Sequence, residues 1–412
     1  MSECKRALEG IKVVELATFI AGPCCARFLS DLGAEVIKVE APAGDPLRYT
    51  AVNEGRPFGD QEDTSFCLEN TGKKCITLNT KSEKGRKILE DLISQSDVFI
   101  TNWRQPALKR AGLDYDTLKK KYPKLVMGLV SGYGEKGPDK DLPGFDYTAF
   151  FARAGIMGAM YDTDSSPMLP VAGFGDHQVS LYLASGILAA LYRARETGKG
   201  DQVIASLFHA GVWDVALYLQ CNQYGDVSTQ WPISRRGFAN QFQVAHKTKD
   251  GKWVQFGMTR YDFYYPIFME ALGRQDLLND ERFFPQTNLQ SHLDEFYDLL
   301  HDEVGKRTLE EVENLMKKAD LPYAVCQTWN QLLNDKQAWE ADILTKVEFP
   351  NGNKRTMVRP PVSFTETELP PYERARFLGE DTRTVLSAMG YSTEQVEAMI
   401  AAGDVTDCKR IG

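Results

Sequence analysis

The chain has 412 residues, of which 43% are hydrophobic and 25% charged, the composition of an ordinary globular protein with ample core-forming material. Its 48 Lys and Arg against 57 Asp and Glu give a net charge of −9, which favours neither nucleic acid nor an anionic membrane as partner. No apolar run reaches the roughly 18 residues that span a bilayer, and residues 1–10 lack the apolar segment of a signal peptide. The eight cysteines are scattered without a Cys-x-x-Cys pair, which indicates reduced thiols, a cytoplasmic protein and no metal site.

The first half of the chain alternates β-rich runs with helical patterns, which predicts parallel strands in an α/β sheet. The β-rich runs are residues 11–16, 35–40, 75–78, 97–101, 125–130 and 202–207. The opening unit resembles a dinucleotide-binding βαβ unit but has no Gly-x-Gly-x-x-Gly, so no dinucleotide site is expected there. In such sheets, ligands bind where strands end in irregular loops.

Composition changes near Gly225 and again from Trp329. Between these points, one strand pattern at residues 253–256 is followed by amphipathic helices, which predicts a smaller α+β domain. An Asn-Gly pair at residues 351–352 predicts a β-hairpin. We therefore predict a large α/β domain over residues 1–225, a small domain over 226–330 and a C-terminal segment over 331–412.

Asp176 stands out because it follows a Gly-x-Gly turn, Gly173 to Gly175, and precedes a long apolar helical run over residues 179–192. Glycines allow turns that other residues rarely adopt and let a ligand approach closely. Asp176 is either an N-cap, since Asp is a favoured capping residue, or a carboxylate nucleophile held in a tight turn.

Several neighbouring residues allow two interpretations. Cys24 and Cys25 lie at a predicted helix start, where a thiolate is favoured, so a thiol is the rival nucleophile. His177 either moves a proton near Asp176 or is structural, and exchange between carboxylates has no proton to abstract. Lys73 and Lys74, taken alone, are more often part of a solvated loop than of a binding site, and Arg104 taken alone fits a surface charge.

Further stretches accompany the Asp176 turn in a recognisable order. They are residues 19–23, 32–40, 70–74, 102–104, 131–138 and 198–200. Together they resemble the family III CoA-transferases, which include formyl-CoA transferase and carnitine CoA-transferase, and the resemblance spans essentially the whole chain. The loop at residues 136–147 is most similar to the branch that acts on 2-hydroxy acids such as phenyllactate and 2-hydroxyisocaproate.

The resemblance implies a large Rossmann-like open-sheet domain built from both chain ends, a smaller α+β domain and an interlocked homodimer. It also implies transfer of CoA from an acyl-CoA, such as cinnamoyl-CoA or isocaprenoyl-CoA, to a 2-hydroxy acid in anaerobic amino-acid fermentation, with coenzyme A as the cofactor and no metal. The alternatives are a 2-methylacyl-CoA racemase-like enzyme and a non-catalytic CoA-binding protein.

By position in the family pattern, Asp176 is the nucleophile, which forms an anhydride and then an aspartyl-CoA thioester. Backbone N–H groups near Gly173 and Gly175, or near Ala21 and Gly22, are the candidate donors to the oxyanions. The CoA-binding residues implied by the resemblance are Ile20, Ala21, Asn70, Thr71, Gly72, Lys73, Asn102, Trp103, Arg104, Arg110, Gly144, Phe145, Asp146 and Tyr147.

Two departures from the oxalate enzyme bear on the substrate. Ile20 stands where formyl-CoA transferase carries Gln, which favours an apolar acid. Residues 257–261 lack the glycine run of that enzyme's lid. An aromatic set that either suits an apolar substrate or packs in a helix core follows this region: Tyr261, Phe263, Tyr264 and Tyr265.

Overall fold

The computed structural model describes residues 6–163, 165–227 and 230–412, and among these the side chains of residues 226 and 227 are not described. The chain forms two compact units. The first unit takes residues up to 156, residues 170–215 and residues 336–412, and the second takes residues 157–169 and 216–335. Segments on both sides of the second unit therefore build the first one. The domain boundaries after residues 225 and 330 stay predictions.

The strands are three to six residues long. They are β1 Lys12–Leu16, β2 Glu35–Glu40, β3 Lys74–Thr77, β4 Val98–Thr101, β5 Val126–Ser131, β6 Gln202–Ser206, β7 Ala245–Lys247, β8 Trp253–Phe256, β9 Tyr323–Val325, β10 Leu344–Glu348 and β11 Lys354–Val358.

The helices of the first part of the chain are α1 Ala21–Asp31, α2 Ala51–Glu54, α3 Thr64–Asn70, α4 Glu83–Ser94, α5 Gln105–Ala111, α6 Tyr115–Lys121, α7 Ile156–Ala159, α8 Phe174–Thr197 and α9 Leu207–Asp214. A π-helical segment, Asp146–Ala152, precedes α7. The remaining helices are α10 Ala216–Cys221, α11 Tyr261–Leu272, α12 Gln286–Leu289, α13 Leu293–Gly305, α14 Leu309–Lys318, α15 Trp329–Leu332, α16 Lys336–Glu340, α17 Thr382–Ala388 and α18 Thr393–Ala402.

The first unit is an α/β structure around one six-stranded sheet, in the order β3-β2-β1-β4-β5-β6 with parallel pairing throughout. Every residue of β4 is buried, as expected for a central strand covered on both faces. This confirms the predicted parallel α/β sheet, and the six predicted β-rich runs coincide with its strands to within a residue or two.

The strand order reverses direction between β1 and β4, so these two strands define the switch point of a doubly wound sheet. The chain leaves β1 through residues 17–20 into α1, and it leaves β4 through residues 102–104 into α5. Because the strands are parallel, both loops emerge at the same sheet edge. This edge is where open α/β sheets bind ligands.

The second unit carries a three-stranded antiparallel sheet, β7-β8-β9, and its own apolar core. Tyr261 and Tyr265 of α11 are fully buried there, and their hydroxyls donate to the backbone oxygens of Phe283 and Leu277. At these two positions the aromatic set of α11 is core packing, which is one of the two interpretations that the sequence left open.

The Asn-Gly signal is confirmed, since β10 and β11 pair antiparallel on either side of it. Among the described residues, none of the helices is both long and apolar enough to cross a membrane.

Candidate active site

A cavity of about 840 Å³ lies in the first unit at the edge formed by the loops after β1, β4 and β5. Ten of the fifteen predicted site residues line it. They are Ile20, Ala21, Asn102, Trp103, Arg104, Gly144, Phe145, Asp146, Tyr147 and Asp176. The structure thus brings together residues from four separate stretches of the sequence.

Asp176 is the third residue of α8, which begins at Phe174 after the capping residue Gly173. Gly173 has a φ of +83°, the left-handed conformation that favours glycine. Asp176 is therefore not the N-cap, and the interpretation of its carboxylate as a capping group is wrong. Burial, followed by the negative charge of Asp146, raises the pKa of Asp176 to about 7.

Asp146 fixes the turn that carries Asp176. Its carboxylate accepts hydrogen bonds from the backbone N–H groups of Gly173 at 2.8 Å and Gly175 at 3.0 Å. A β-carbon on Gly175 would collide with Asp146 and Phe150, so the close approach requires glycine at this position. Asp146 was expected as a contact to CoA, and the structure places it behind the glycine turn as well as at the cavity wall.

The same hydrogen bonds distinguish the environments of the two candidate sets of oxyanion donors. The N–H groups of Gly173 and Gly175 already donate to Asp146. The start of α1 is different, because its N-cap is Ile20, whose side chain offers no acceptor to the first helical turn. The N–H groups of Ala21 and Gly22 are therefore the better-placed donors, and Ala21 lines the cavity.

The loop before α1 is held in an unusual conformation. Phe19 has a φ of +64°, which is rare for a bulky residue, and its N–H donates to Asp45 Oδ1 at 3.0 Å. Ile20 lies against the turn before Asp176, since its Cδ1 is 3.2 Å from the point where Gly173 would carry a β-carbon. The β1–α1 loop and the start of α8 therefore meet directly.

Cationic side chains lie around the cavity at Arg104, Lys109 and Lys140. Positively charged groups of this kind bind phosphates. Arg110, which was expected at the site, is exposed on α5 and does not line the cavity, whereas its neighbour Lys109 does. The sequence did not single out Lys109. The available signal was that Lys109 is a second basic residue next to Arg110 and points in a different direction from the same helix.

The segment Asn70, Thr71, Gly72 and Lys73 does not line the cavity either. Lys73 is fully buried, and its Nζ donates to Glu15, to the backbone oxygen of Pro23 and to Asn70 at 2.7–2.8 Å. Thr71 donates to the backbone oxygen of Glu373 at 2.7 Å. In this structure the segment is tied to the protein interior, which differs from the expected contact with CoA.

Three side chains that can ligate metals lie close together next to Asp176. Ligand atoms of Cys24, Glu69 and His177 lie within 4.8 Å of one another. His177 Nε2 and Glu69 Oε1 are 2.9 Å apart and share a proton in a hydrogen bond. Burial raises the pKa of the Cys24 thiol far above its ordinary value, so the sulfur is neutral. We interpret His177 and Glu69 as a hydrogen-bonded pair and assign no metal to the three side chains.

The rival thiol nucleophile has the wrong environment. Burial raises the pKa of both Cys24 and Cys25 well above the ordinary thiol value. A thiol in this state is a poor nucleophile, because the thiolate is the reactive form. Neither sulfur-bearing residue is among those that line the cavity.

The chain is similar to known proteins in both sequence and fold. The sequence matches CoA-transferase family III over residues 8–382. Cinnamoyl-CoA:phenyllactate CoA-transferase of Clostridium sporogenes is 49% identical over 397 residues, 96% of each chain. (R)-2-Hydroxy-4-methylpentanoate CoA-transferase of Clostridioides difficile is 40% identical, over 94% of this chain and 97% of that protein. The crystal structure of a CAIB/BAIF family protein from Brucella suis has a TM-score of 0.80 and 26% identity, covering 93% of this chain and 100% of that chain.

The chain therefore belongs to CoA-transferase family III, which confirms the resemblance found in the sequence. It is a CoA-transferase, and enzymes of this class use CoA thioesters as substrates.

Proposed function

We propose that the protein transfers CoA from an enoyl-CoA, such as cinnamoyl-CoA or isocaprenoyl-CoA, to a 2-hydroxy acid of the phenyllactate or 2-hydroxyisocaproate type. The observation that carries the proposal is the Asp176 carboxylate at the cavity wall, on a glycine turn pinned by Asp146. The names of the relatives at 49% and 40% identity support these substrate classes.

Asp176 attacks the thioester carbonyl of the donor, and CoA thiolate leaves as an acyl-aspartyl anhydride forms. The thiolate then attacks the aspartyl carbonyl, which releases the donor acid and leaves an aspartyl-CoA thioester. The acceptor carboxylate attacks this thioester and expels the thiolate again. Attack of the thiolate on the acceptor's acyl carbonyl gives the new acyl-CoA and frees Asp176.

The other residues of the site are proposed to bind and orient the substrates. Each attack passes through an oxyanion, for which the N–H groups at the start of α1 are the proposed donors. Arg104, Lys109 and Lys140 are the proposed partners of the CoA phosphates. Asn70 to Lys73 and Arg110, which the resemblance also implies for CoA binding, lie outside the cavity wall, so the proposal gives the phosphate contacts to the three cationic residues that line it.

The acid that binds beside Asp176 is proposed to be apolar. Large apolar side chains line the cavity and are partly exposed at Phe19, Leu142, Phe145 and Tyr147, with Ile20 against the glycine turn. Such side chains favour an aryl or branched aliphatic group over a second carboxylate.

We also propose that the protein is an interlocked homodimer. Tyr192 of α8 and Trp213 of α9 are 70% and 67% exposed, which is unusual for large aromatic side chains and supports a covering partner. A cytoplasmic location and a role in anaerobic amino-acid fermentation belong to the same proposal. Seven cysteines that the structure describes as free thiols fit a reducing compartment.

The test uses purified protein, acyl-CoA donors and a panel of aromatic and branched 2-hydroxy acids, with mass spectrometry for a CoA adduct on Asp176. We expect Asp176→Ala to lose turnover and the adduct but to retain acyl-CoA binding. A Cys24→Ala/Cys25→Ala variant is the matched control and should keep the adduct. Transfer at the wild-type rate by Asp176→Ala would contradict the mechanism, and deuterium exchange into acyl-CoA without an acceptor acid would indicate racemase chemistry.

A further inference from the structure

A buried carboxylate contacts the residue that follows Asp176. Glu69, on α3, has a side chain only 3% exposed, and its Oε1 lies 2.9 Å from His177 Nε2. Its second oxygen, Oε2, has no hydrogen-bond partner among the described residues. His177 is in the first turn of α8, directly after Asp176 in the chain, and its side chain is 41% exposed.

We propose that Glu69 and His177 form a positioning pair that supplies a fixed positive counter-charge to the Asp176 carboxylate. The proposal rests on the role of Asp176 proposed above and assigns the neighbouring pair a function of its own. His177 transfers no proton to or from the substrate. It keeps the nucleophile ionised in a site that otherwise disfavours negative charge.

The charges around Asp176 explain why a counter-charge is needed. Asp146 faces it from the π-helical segment and Glu69 from α3, so three carboxylates share a partly buried region. Burying a charge without a partner is costly, and a buried carboxylate is retained when a hydrogen-bonded cation accompanies it. His177 is the side chain that makes such a hydrogen bond to Glu69.

The other groups that face the pair do not supply this charge. On α1, Arg27 is held by Asp31 at 2.9 Å and by its bond to the Leu68 backbone oxygen. Cys24, also on α1, is neutral because burial raises the pKa of its thiol. This leaves the imidazolium of His177 as the counter-charge nearest in sequence to Asp176.

Electrostatics agree with the geometry. Burial by itself lowers the pKa of His177, but the hydrogen bond to Glu69 and the charges of Glu69 and Asp176 raise it above its usual value. The charge of His177 in turn lowers the pKa of Asp176, against the larger upward effects of burial and Asp146. The lowering of the Asp176 pKa by His177 therefore exists below the pKa of His177, where the imidazole is charged, and disappears as the pH rises through that pKa.

The first experiment compares the pH dependence of kcat/KM in wild type and His177→Gln, which removes the charge but keeps a hydrogen-bond donor. We expect the acidic limb to move to higher pH, with kcat/KM about three- to tenfold lower near pH 6 and within about twofold of wild type near pH 9. A purely structural defect would lower the rate at every pH. An unmoved acidic limb would overturn the proposal.

The chain offers a matched control. His292 and Glu295 form a His–Glu pair of the same 2.9 Å length in the second unit, on a partly exposed surface and outside the residues that line the cavity. His292→Gln should leave the pH profile unchanged. An equal shift in this variant would also overturn the proposal, because the effect would then not depend on the pair beside Asp176.

A second measurement does not depend on turnover. The chain has five histidines, so selective ¹³C labelling of imidazoles gives five signals, and His177→Gln identifies one. We expect the His177 signal to titrate at higher pH in wild type than in Glu69→Gln. An unchanged titration overturns the pairing even if Asp176 proves to be the nucleophile. If the His177 signal titrates at lower pH in Glu69→Gln but wild type forms no CoA adduct, the Glu69–His177 pair is retained and only the proposed function is rejected.

Discussion

The Asp176 carboxylate is held where its charge is disfavoured. Burial and the charge of Asp146 raise its pKa to about 7, so the ionised and neutral forms are comparably populated near neutral pH. A group whose pKa lies near the working pH is a more reactive base or nucleophile than a fully stabilised carboxylate. The consequence is a folded state that is less stable whenever Asp176 is ionised.

This gives a prediction about stability. A raised folded-state pKa means that Asp176 stabilises the fold below its unfolded pKa, near 4, and that this contribution is lost as the pH rises through about 7. Asp176→Asn, which has the same shape without the charge, should therefore raise the free energy of unfolding by about 1–3 kcal/mol near pH 8. Near pH 4 the difference should be small.

Urea denaturation at the two pH values measures this effect. Asp302→Asn is a matched control, since Asp302 is an exposed carboxylate on α13, and such surface changes stay within about 0.5 kcal/mol. A gain in Asp176→Asn of equal size at both pH values would mean that charge is not the cause.

At the level of single residues, the sequence identified Asp176 as the candidate nucleophile but not the side chains that hold it in place. Gly173, Gly175 and Asp176 are adjacent, so one short motif exposed them. The hydrogen bonds from the N–H groups of Gly173 and Gly175 to the Asp146 carboxylate join positions 27 and 29 residues apart, and no local pattern encodes such a pairing. Glu69 was missed for the same reason, because its partner His177 is 108 residues away.

Helix phase separates the two basic residues of α5. Successive residues of a helix point about 100° apart, so Lys109 can face the cavity while Arg110 faces solvent. The resemblance placed Arg110 at the site by position in the chain, and the sequence alone does not fix the rotation of a seven-residue helix.

We therefore expect Lys109→Ala to raise the KM for acyl-CoA by about three- to tenfold, equivalent to the loss of about 0.6–1.4 kcal/mol of a charge-assisted phosphate contact. Arg110→Ala is the adjacent control and should change KM less than about twofold. Steady-state kinetics with CoA donor varied at saturating acceptor measures both. A larger effect at Arg110 would restore the position implied by the family pattern.

The resemblance predicts that Lys73 binds CoA, and in the fold the Lys73 side chain is buried in a network of ion pairs. It and Lys38 of β2 both donate to Glu15 of β1 at 2.7 Å, and all three side chains are fully buried. The sequence could not show this, because a lysine in a loop before a strand is exposed in most proteins. The network ties β1 and β2 to the segment before β3.

Lys73→Met should accordingly destabilise the protein by about 3–5 kcal/mol, because it leaves Glu15 buried with one cation fewer. The KM for acyl-CoA of the folded protein should stay unchanged. The neighbouring pair provides the control, since Lys74 and Glu35 are each 45% exposed and Lys74→Met should cost less than about 1 kcal/mol. A tenfold rise in KM with unchanged stability would return Lys73 to the CoA site.

On the scale of the whole molecule, the strands were predictable from local patterns, and the excursion of residues 157–169 into the second unit was not. Short β-rich runs placed β1 to β6 closely, because the central strands of a parallel sheet are covered on both faces, whereas the edge strand β6 is only partly buried. Residues 157–169 belong to the second unit although they precede the Asp176 turn. This placement depends on contacts between residues far apart in the chain, and the composition of residues 157–169 does not indicate it.

The proposed interlocking predicts how the subunits behave on mixing. Threaded chains separate only when at least one of them unfolds, whereas subunits joined by an ordinary surface exchange by dissociation. Two preparations with different affinity tags, mixed under native conditions for a day, should therefore form no mixed dimers. The same mixture, unfolded in urea and refolded together, should give about half mixed dimers by random pairing. Mixed dimers without unfolding would show an exchangeable interface, and a monomer mass by light scattering would leave the exposed Tyr192 and Trp213 without the proposed partner.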